Sequence, residues 1–351
     1  MLDILPETSL VALVGLTGGI VLGLAARLGR LCTLGALEDL YYGGSAIRLR
    51  TWGIAVGIAI ISTYSLSALG FIELKATIYL SLAWNPLASI FGGLMFGYGM
   101  ALAGSCGYGA LARLGGGDIR AFIIVIVMGL SAYITISGPL AYVRIWAFGA
   151  GIPALNPPSV PTTISQLFNL PIYLTGITIG LLIFVGSVAS GAMWRARTSV
   201  LWGILVGLSI TSAWVGTQWV ATYGFEELPV VSHTFAAPIG ESMIYLMTAS
   251  GNSISFATGS VLGVLLGALA GSLIKGHFRW EACDDPRELR RQILGAMLMG
   301  IGSVIALGCS VGQGLSAFSV LAFSAPITMT CTMIGAAIGL RQLIYGFGTV
   351  S

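Results

Sequence analysis

The sequence predicts an all-α polytopic membrane protein with about nine spanning helices, re-entrant half-helices and two inverted repeats. Three observations carry that expectation: too little charge for water, apolar stretches of bilayer length, and a cysteine–glycine motif that recurs. Of 351 residues, 56% are hydrophobic and 8% charged, and the mean hydropathy is +0.94. A soluble domain carries about 25% charged residues, so lipid must cover the surplus apolar surface. Fifty glycines agree, because small residues let membrane helices approach closely. The net charge of +3 is too small and too dispersed to recruit nucleic acid.

Taken in order, apolar segments fall at 9–28, 51–72, 87–104, 119–137, 171–192, 199–220, 256–274, 291–307 and 326–345. Each is close to the length of about 20 residues that crosses a bilayer. Arg48 and Arg50 follow the first segment, Arg113 and Arg120 the third, and Arg195 and Arg197 the fifth. Lys275, Arg279, Arg287, Arg290 and Arg291 follow the seventh, and Arg341 lies near the end of the ninth. These are alternate loops; the opposite loops hold Asp3, Glu7, Glu73, Glu226, Glu227 and Glu241, with Lys75 and Arg144 as the basic exceptions. The positive-inside rule then expects the N-terminus outside and the C-terminus in the cytoplasm. The first ten residues lack the basic region and small-residue cleavage site of a signal peptide. Residues 139–170, with Pro139, Pro153, Pro157, Pro158 and Pro161, are expected to form an irregular outer cap. Asp285-Pro286 has the form of a helix start.

A repeat organises these segments. The stretches 92-GGLMFGYGMALAGSCGYG-109 and 295-GAMLMGIGSVIALGCSVG-312 align at Gly92/Gly295, Gly97/Gly300, Gly99/Gly302, Ala103/Ala306, Cys106/Cys309 and Gly109/Gly312. The stretch 18-GGIVLGLAARLGRLCTLG-35 fits the same template at Cys32 and Gly35, and 234-TFAAPIGES-242 is a degenerate fourth copy. The whole chain, 1–351, is expected to form one membrane domain of pseudo-repeats 1–140 and 195–345 joined by the outer segment 139–170. Opposite directions of the third and eighth spans make those repeats inverted, and inverted-repeat transporters bind substrate where the repeats meet.

After Cys32, Cys106 and Cys309 comes a run too short and too glycine-interrupted to span. Such breaks survive in a membrane only when buried in protein or lining a wet cavity. The supporting glycines are Gly35, Gly107, Gly109, Gly308, Gly312 and Gly314, with Gln313 either offering an amide to a substrate or satisfying loop backbone. A half-helix start aims free N–H groups inward, which suits an anion. Three thiols along one path would be weakly polar and able to donate S–H. Arg113 is the candidate fixed cation at the cytoplasmic mouth. Cys331 reads as a packing residue and Cys283 as an exposed loop thiol; Glu38, Asp39 and Glu241 are either intramembrane acids or interfacial ones. With no CxxC pair, and only His233 and His277 as imidazoles, neither a metal site nor a cofactor is expected. No nucleotide-binding motif is present. A membrane thiol oxidoreductase would need a reactive cysteine pair, and a simple channel for another solute would share the same broken helices.

At 31-LCTLGALEDL-40, 104-GSCGYGALARLGGGD-118 and 308-GCSVGQGLSAFS-319 the sequence resembles the YeeE/YedE family of bacterial sulphur-compound transporters. That resemblance implies thiosulfate uptake across the bacterial cytoplasmic membrane, with Cys32, Cys106 and Cys309 passing the ion inward by transient S–H hydrogen bonds. It also implies a small TusA-like cytoplasmic sulphur carrier, here as a separate chain, and no enzymatic activity. Some family members are linked to other sulphur or selenium compounds.

Overall fold

A computed structural model describes residues 6–149, 159–281 and 285–346. Among these residues the secondary structure is helical, with three isolated β-bridges. In chain order the first half contains α1 (Glu7–Leu28), α2 (Thr33–Tyr41), α3 (Ile47–Ala68), the one-turn α4 (Ile78–Ser81), α5 (Pro86–Ala103), α6 (Gly107–Gly115) and α7 (Ile119–Ile136). A connecting region follows, with α8 (Leu140–Phe148), α9 (Val160–Phe168), α10 (Ile172–Val188) and α11 (Gly191–Arg195). The second half contains α12 (Arg197–Tyr223), α13 (Ala236–Thr248), α14 (Phe256–Ile274), α15 (Pro286–Ile305), a π-helical turn at Gly312–Ala317, and α16 (Ser324–Tyr345).

Each of the nine expected segments contains one long helix. Seven of the described helical segments are long and apolar enough to cross a membrane, and α9 with α10, bent by 118°, makes an eighth. The remaining segment, 291–307, lies in α15, whose first turns carry Arg287, Glu288, Arg290 and Arg291. Asp285 caps α15 by accepting from the Arg287 N–H at 2.8 Å, with Pro286 in the first turn, as the sequence expects.

Segment 139–170 differs from the irregular outer cap expected of it. It contains two helices, α8 and α9. Ser159 accepts from the Thr162 N–H and Pro161 sits in the first turn, so this proline starts a helix instead of breaking one. Pro153, Pro157 and Pro158 lie outside the described residues, as does Cys283.

Glycine decides how the long helices meet. α5 and α15 cross antiparallel with Gly92 against Gly302 and Gly99 against Gly295. A Cβ on Gly99 would stand 2.6 Å from the Gly295 carbonyl oxygen, and one on Gly302 would stand 2.8 Å from that of Gly92. Backbone touches backbone here, and any side chain would force the pair apart. α16 packs on the other side of α5, and α7 on the other side of α15. Between these long helices lie the short ones. α2 and α13 begin buried and end exposed: Thr33 to Leu37 are buried while Glu38 and Leu40 are exposed, and the Ala236 end of α13 is buried while Leu246 and Met247 are exposed. In α6, Gly107–Ala112 are buried. The fold therefore places helix N-termini inside the molecule, at the level of Trp214, Tyr108 and Phe235, all fully buried.

Candidate functional site

The three cysteines stand where the buried short helices begin. Cys32 is the N-cap of α2 and Cys106 the N-cap of α6. Cys309 directly precedes the helical run that contains the π-helical turn. In the second motif the Cys106 Sγ accepts from the Gly109 N–H at 3.4 Å, and in the third the Cys309 Sγ accepts from the Gly312 N–H at 3.5 Å. In the first motif the Gly35 N–H faces the Cys32 thiol. In the second and third motifs the Cys-x-x-Gly spacing is thus a thiol N-cap, the sulfur taking the place of a serine or aspartate oxygen on the third N–H of the helix, whereas Cys32 stands at the N-cap position without that hydrogen bond. An Sγ whose lone pairs are engaged in this way leaves its S–H free to donate elsewhere.

Cys309 is held most firmly. Besides Gly312, the Phe235 N–H donates to its Sγ at 3.3 Å and the Thr234 hydroxyl lies 3.6 Å away. Tyr79 sits beside Cys309 and Thr234. Ser310, whose buried hydroxyl has no hydrogen-bond partner among the described residues, lies near the Cys106 thiol, so adjacent residues link the second and third cysteines. A Cβ on Gly109 would stand 3.7 Å from the Cys106 Sγ and 3.9 Å from the Cys32 Sγ, so those two sulfurs flank one glycine. Tyr108 lies beside both and donates to the Leu22 carbonyl at 2.6 Å. Cys106 and Cys309 are buried and Cys32 is half-buried; all three are free thiols.

This line of sulfurs runs between two cavities. One, of about 280 Å³, is lined by Tyr79, Trp84, Arg144, Thr234 and Gly308, next to Cys309. The other, of about 300 Å³, is lined by Arg27, Arg30, Cys32, Arg48 and Lys275. They lie at opposite ends of α7. Ile136 lines the first cavity, whereas the other end of α7 is tied by the Ile119 N–H to the Glu281 carbonyl (3.0 Å), in the segment that follows Lys275.

The remaining expected residues sort by contact. Gln313 donates through Nε2 to the carbonyls of Ala306 (2.8 Å) and Leu307 (3.1 Å), so its amide satisfies the break in the third motif. Gly107 packs against Met128, and Gly314 against Met329 and Trp52. Asp39 pairs with Arg48 at 3.1 Å, while Glu38 and Glu241 are exposed. Cys331 lies on α16 against Gly93, among packing residues. Arg113 pairs with Asp118 at 2.7 Å and does not line either cavity beside a cysteine. Sequence reasoning did not pick out Tyr79, Thr234, Phe235 and Ser310, nor the clustering of Arg27, Arg30, Arg48 and Lys275. The degenerate fourth copy at 234-TFAAPIGES-242 was the available signal for Thr234 and Phe235; with no cysteine of its own, it supplies donors to Cys309.

Asp118 fastens the loop after α6. It caps α7 by accepting from the Arg120 N–H at 3.0 Å and binds Arg113 and Arg120. Burial pushes its carboxyl up, but the Arg113 and Arg120 guanidinium groups outweigh this and hold it below the usual carboxylate range. A depressed folded-state value gives stability that is complete above the unfolded value, about 3.9 for Asp, and is lost as pH falls through the lower folded value. The thermal midpoint of the purified protein is therefore expected to hold near neutrality and to fall below about pH 4, with a smaller acid decrease in Asp118→Asn. Equal acid decreases in the two proteins would refute the assignment.

With this geometry in view, the sequence profile of the family described as sulphur transport matches residues 28–338 of the chain. Among curated proteins, the thiosulfate transporter TsuA of Spirochaeta thermophila is 26% identical over 331 residues, covering 92% of this chain and 96% of that protein. The thiosulfate transporter TsuA of Escherichia coli is 25% identical over 341 residues, covering 92% and 91%. The profile match spans all three cysteine motifs.

Proposed function

The chain belongs to the sulphur transport family, and from that membership we propose that it takes up thiosulfate, or a closely related sulphur-containing anion, across the bacterial cytoplasmic membrane. The anion passes from the cavity at Cys309 to Cys106 and Cys32 and leaves at the basic cavity. The observation that carries this reading is the line of three thiols, each at the buried start of a short helix, between two cavities at opposite ends of α7. Thiosulfate is divalent, with oxygens and a terminal sulfur that accept hydrogen bonds. S–H donors and helix N-termini meet that need without a fixed charge between the cavities, so binding is loose enough to release.

Orientation follows from the arginine-rich loops: the basic cavity faces the cytoplasm, the C-terminus lies on that side and the N-terminus outside. Delivery to a separate TusA-like carrier fits the same direction of travel. The inverted-repeat reading is supported by the pattern of helix packing. α5 packs on α16 as α15 packs on α7; α3 packs on α12 as α14 packs on α1; α2 meets α3 as α13 meets α14. Exchanging the halves leaves that set of contacts unchanged, as it does the Gly92/Gly302 and Gly99/Gly295 crossing.

Purified protein in liposomes should take up labelled thiosulfate in preference to sulfate or selenite. Equal uptake of all three would replace this reading with that of a general anion channel. No uptake above protein-free liposomes would remove the transport assignment.

A further inference from the structure

Four cations surround the cavity beside Cys32: Arg27, Arg30, Arg48 and Lys275, with His277 and Ser272 on the same wall. Among the described residues no carboxylate lines it; Asp39 reaches Arg48 from the side at 3.1 Å, Glu38 lies near Arg48 and Cys32, and Asp118 and Glu281 lie near Arg27. The cations are held in place by the fold. Lys275 donates to the carbonyls of Arg27 (3.0 Å) and Leu28 (3.3 Å), which ties the end of α14 to the end of α1. The Arg27 guanidinium lies over Gly116, and that of Arg48 over Gly35 of the first motif. Arg30 takes a φ of 53°, a conformation that L-residues rarely adopt, and this turn brings its side chain to the cavity wall.

Like charges gathered round one space repel unless something of opposite sign sits among them. A volume of about 300 Å³ exceeds a single water many times over, since a water's share of liquid volume is about 30 Å³. Guanidinium forks match the oxygens of tetrahedral oxyanions. The thiols further along the path can distinguish a terminal sulfur from an oxygen, but these cations contact oxygens and charge alone.

We propose that the basic cavity is a second, less selective site that binds divalent tetrahedral oxyanions, sulfate as well as thiosulfate, at the exit beside Cys32. It rests on the reading of Cys32 as the cytoplasmic end of the path. An anion held there opposes the next anion by charge and by space, so passage slows as oxyanion accumulates on that side.

Two measurements separate the site from its effect. In purified protein, the rate at which neutral N-ethylmaleimide modifies Cys32 is followed by mass spectrometry of the peptide that carries it. Saturating sodium sulfate is expected to slow that rate by about five-fold or more relative to sodium chloride of equal ionic strength. In the Arg30→Gln/Lys275→Gln double variant the protection should disappear. A rate insensitive to sulfate, or protection that survives the double variant, overturns the site. Labelling needs no transport, so failed uptake with intact protection would count against the transport reading and leave the site standing. In liposomes, initial thiosulfate uptake should fall as internal sulfate is raised, and the double variant should need more sulfate for the same inhibition. Uptake independent of internal sulfate overturns the effect on passage.

Discussion

Replacing Cys309 by alanine is expected to abolish thiosulfate uptake, and Cys106→Ala to do the same. A hydrogen bond to a charged partner contributes about 1.5–3 kcal/mol, which corresponds to about one to two powers of ten in rate. The actual loss should be larger, because the thiols stand in sequence between the two cavities and a missing one leaves a gap in the path. Cys309→Ala also removes the acceptor of the Phe235 and Gly312 N–H groups. Each buried donor left unpartnered costs about 1–3 kcal/mol, so a lower thermal midpoint will accompany the lost activity. Cys309→Ser separates the two effects. A hydroxyl is a strong N-cap and restores the acceptor, so stability should return. Uptake should not, because the shorter C–O bond and firmer hydration of oxygen change both reach and release. The measurement is the initial rate in liposomes alongside the thermal midpoint of the same preparation. A serine variant that transports at the wild-type rate would overturn the role of the sulfur.

How far the sequence foretold this site depends on which interaction is asked about. Hydropathy placed the long helices because spanning length and apolar composition are local properties, and each of the nine expected segments contains one helix. The Cys-x-x-Gly motifs were legible for a similar reason. An N-cap engages the N–H three residues on, so the geometry of Cys106 with Gly109, or Cys309 with Gly312, is written within four residues. Partners from distant segments were not legible. Thr234 and Phe235 meet Cys309 across 74 or more positions of chain, and the degenerate repeat copy that begins at Thr234 does not by itself say which thiol they serve. Arg113 shows the same limit from the other direction. It has the right charge near the right motif, yet Asp118, five residues on, engages it. The cations at the Cys32 cavity come instead from the ends of α1 and α14 and the start of α3, whose meeting is set by helix packing. Residues 139–170 misled because prolines break a helix in mid-course but open one at its first turn, and Ser159 decides which applies to Pro161.

Gly109→Ala should leave the protein folded and stop it transporting. The added methyl would stand 3.3 Å from the Ser105 Cβ, which a shift of a few tenths of an ångström relieves, and in ordinary contact with the two sulfurs at 3.7 and 3.9 Å. Alanine is favoured over glycine in a helix by about 1 kcal/mol, and this offsets the squeeze, so the thermal midpoint should stay close to that of the native chain. The methyl nevertheless occupies the space between the Cys106 and Cys32 thiols, where an anion leaving one must meet the other. It is apolar, gives no hydrogen bond to a divalent ion, and separates donors that have to share it. Uptake is expected to fall by about ten-fold or more, the loss of at least one hydrogen bond to a charged group. Gly186→Ala on α10 is the matched control. A Cβ there meets nothing within 4 Å, so neither stability nor uptake should suffer. If Gly109→Ala transports as well as Gly186→Ala, the anion does not pass between these two sulfurs, and the order Cys309, Cys106, Cys32 fails even if each thiol proves essential.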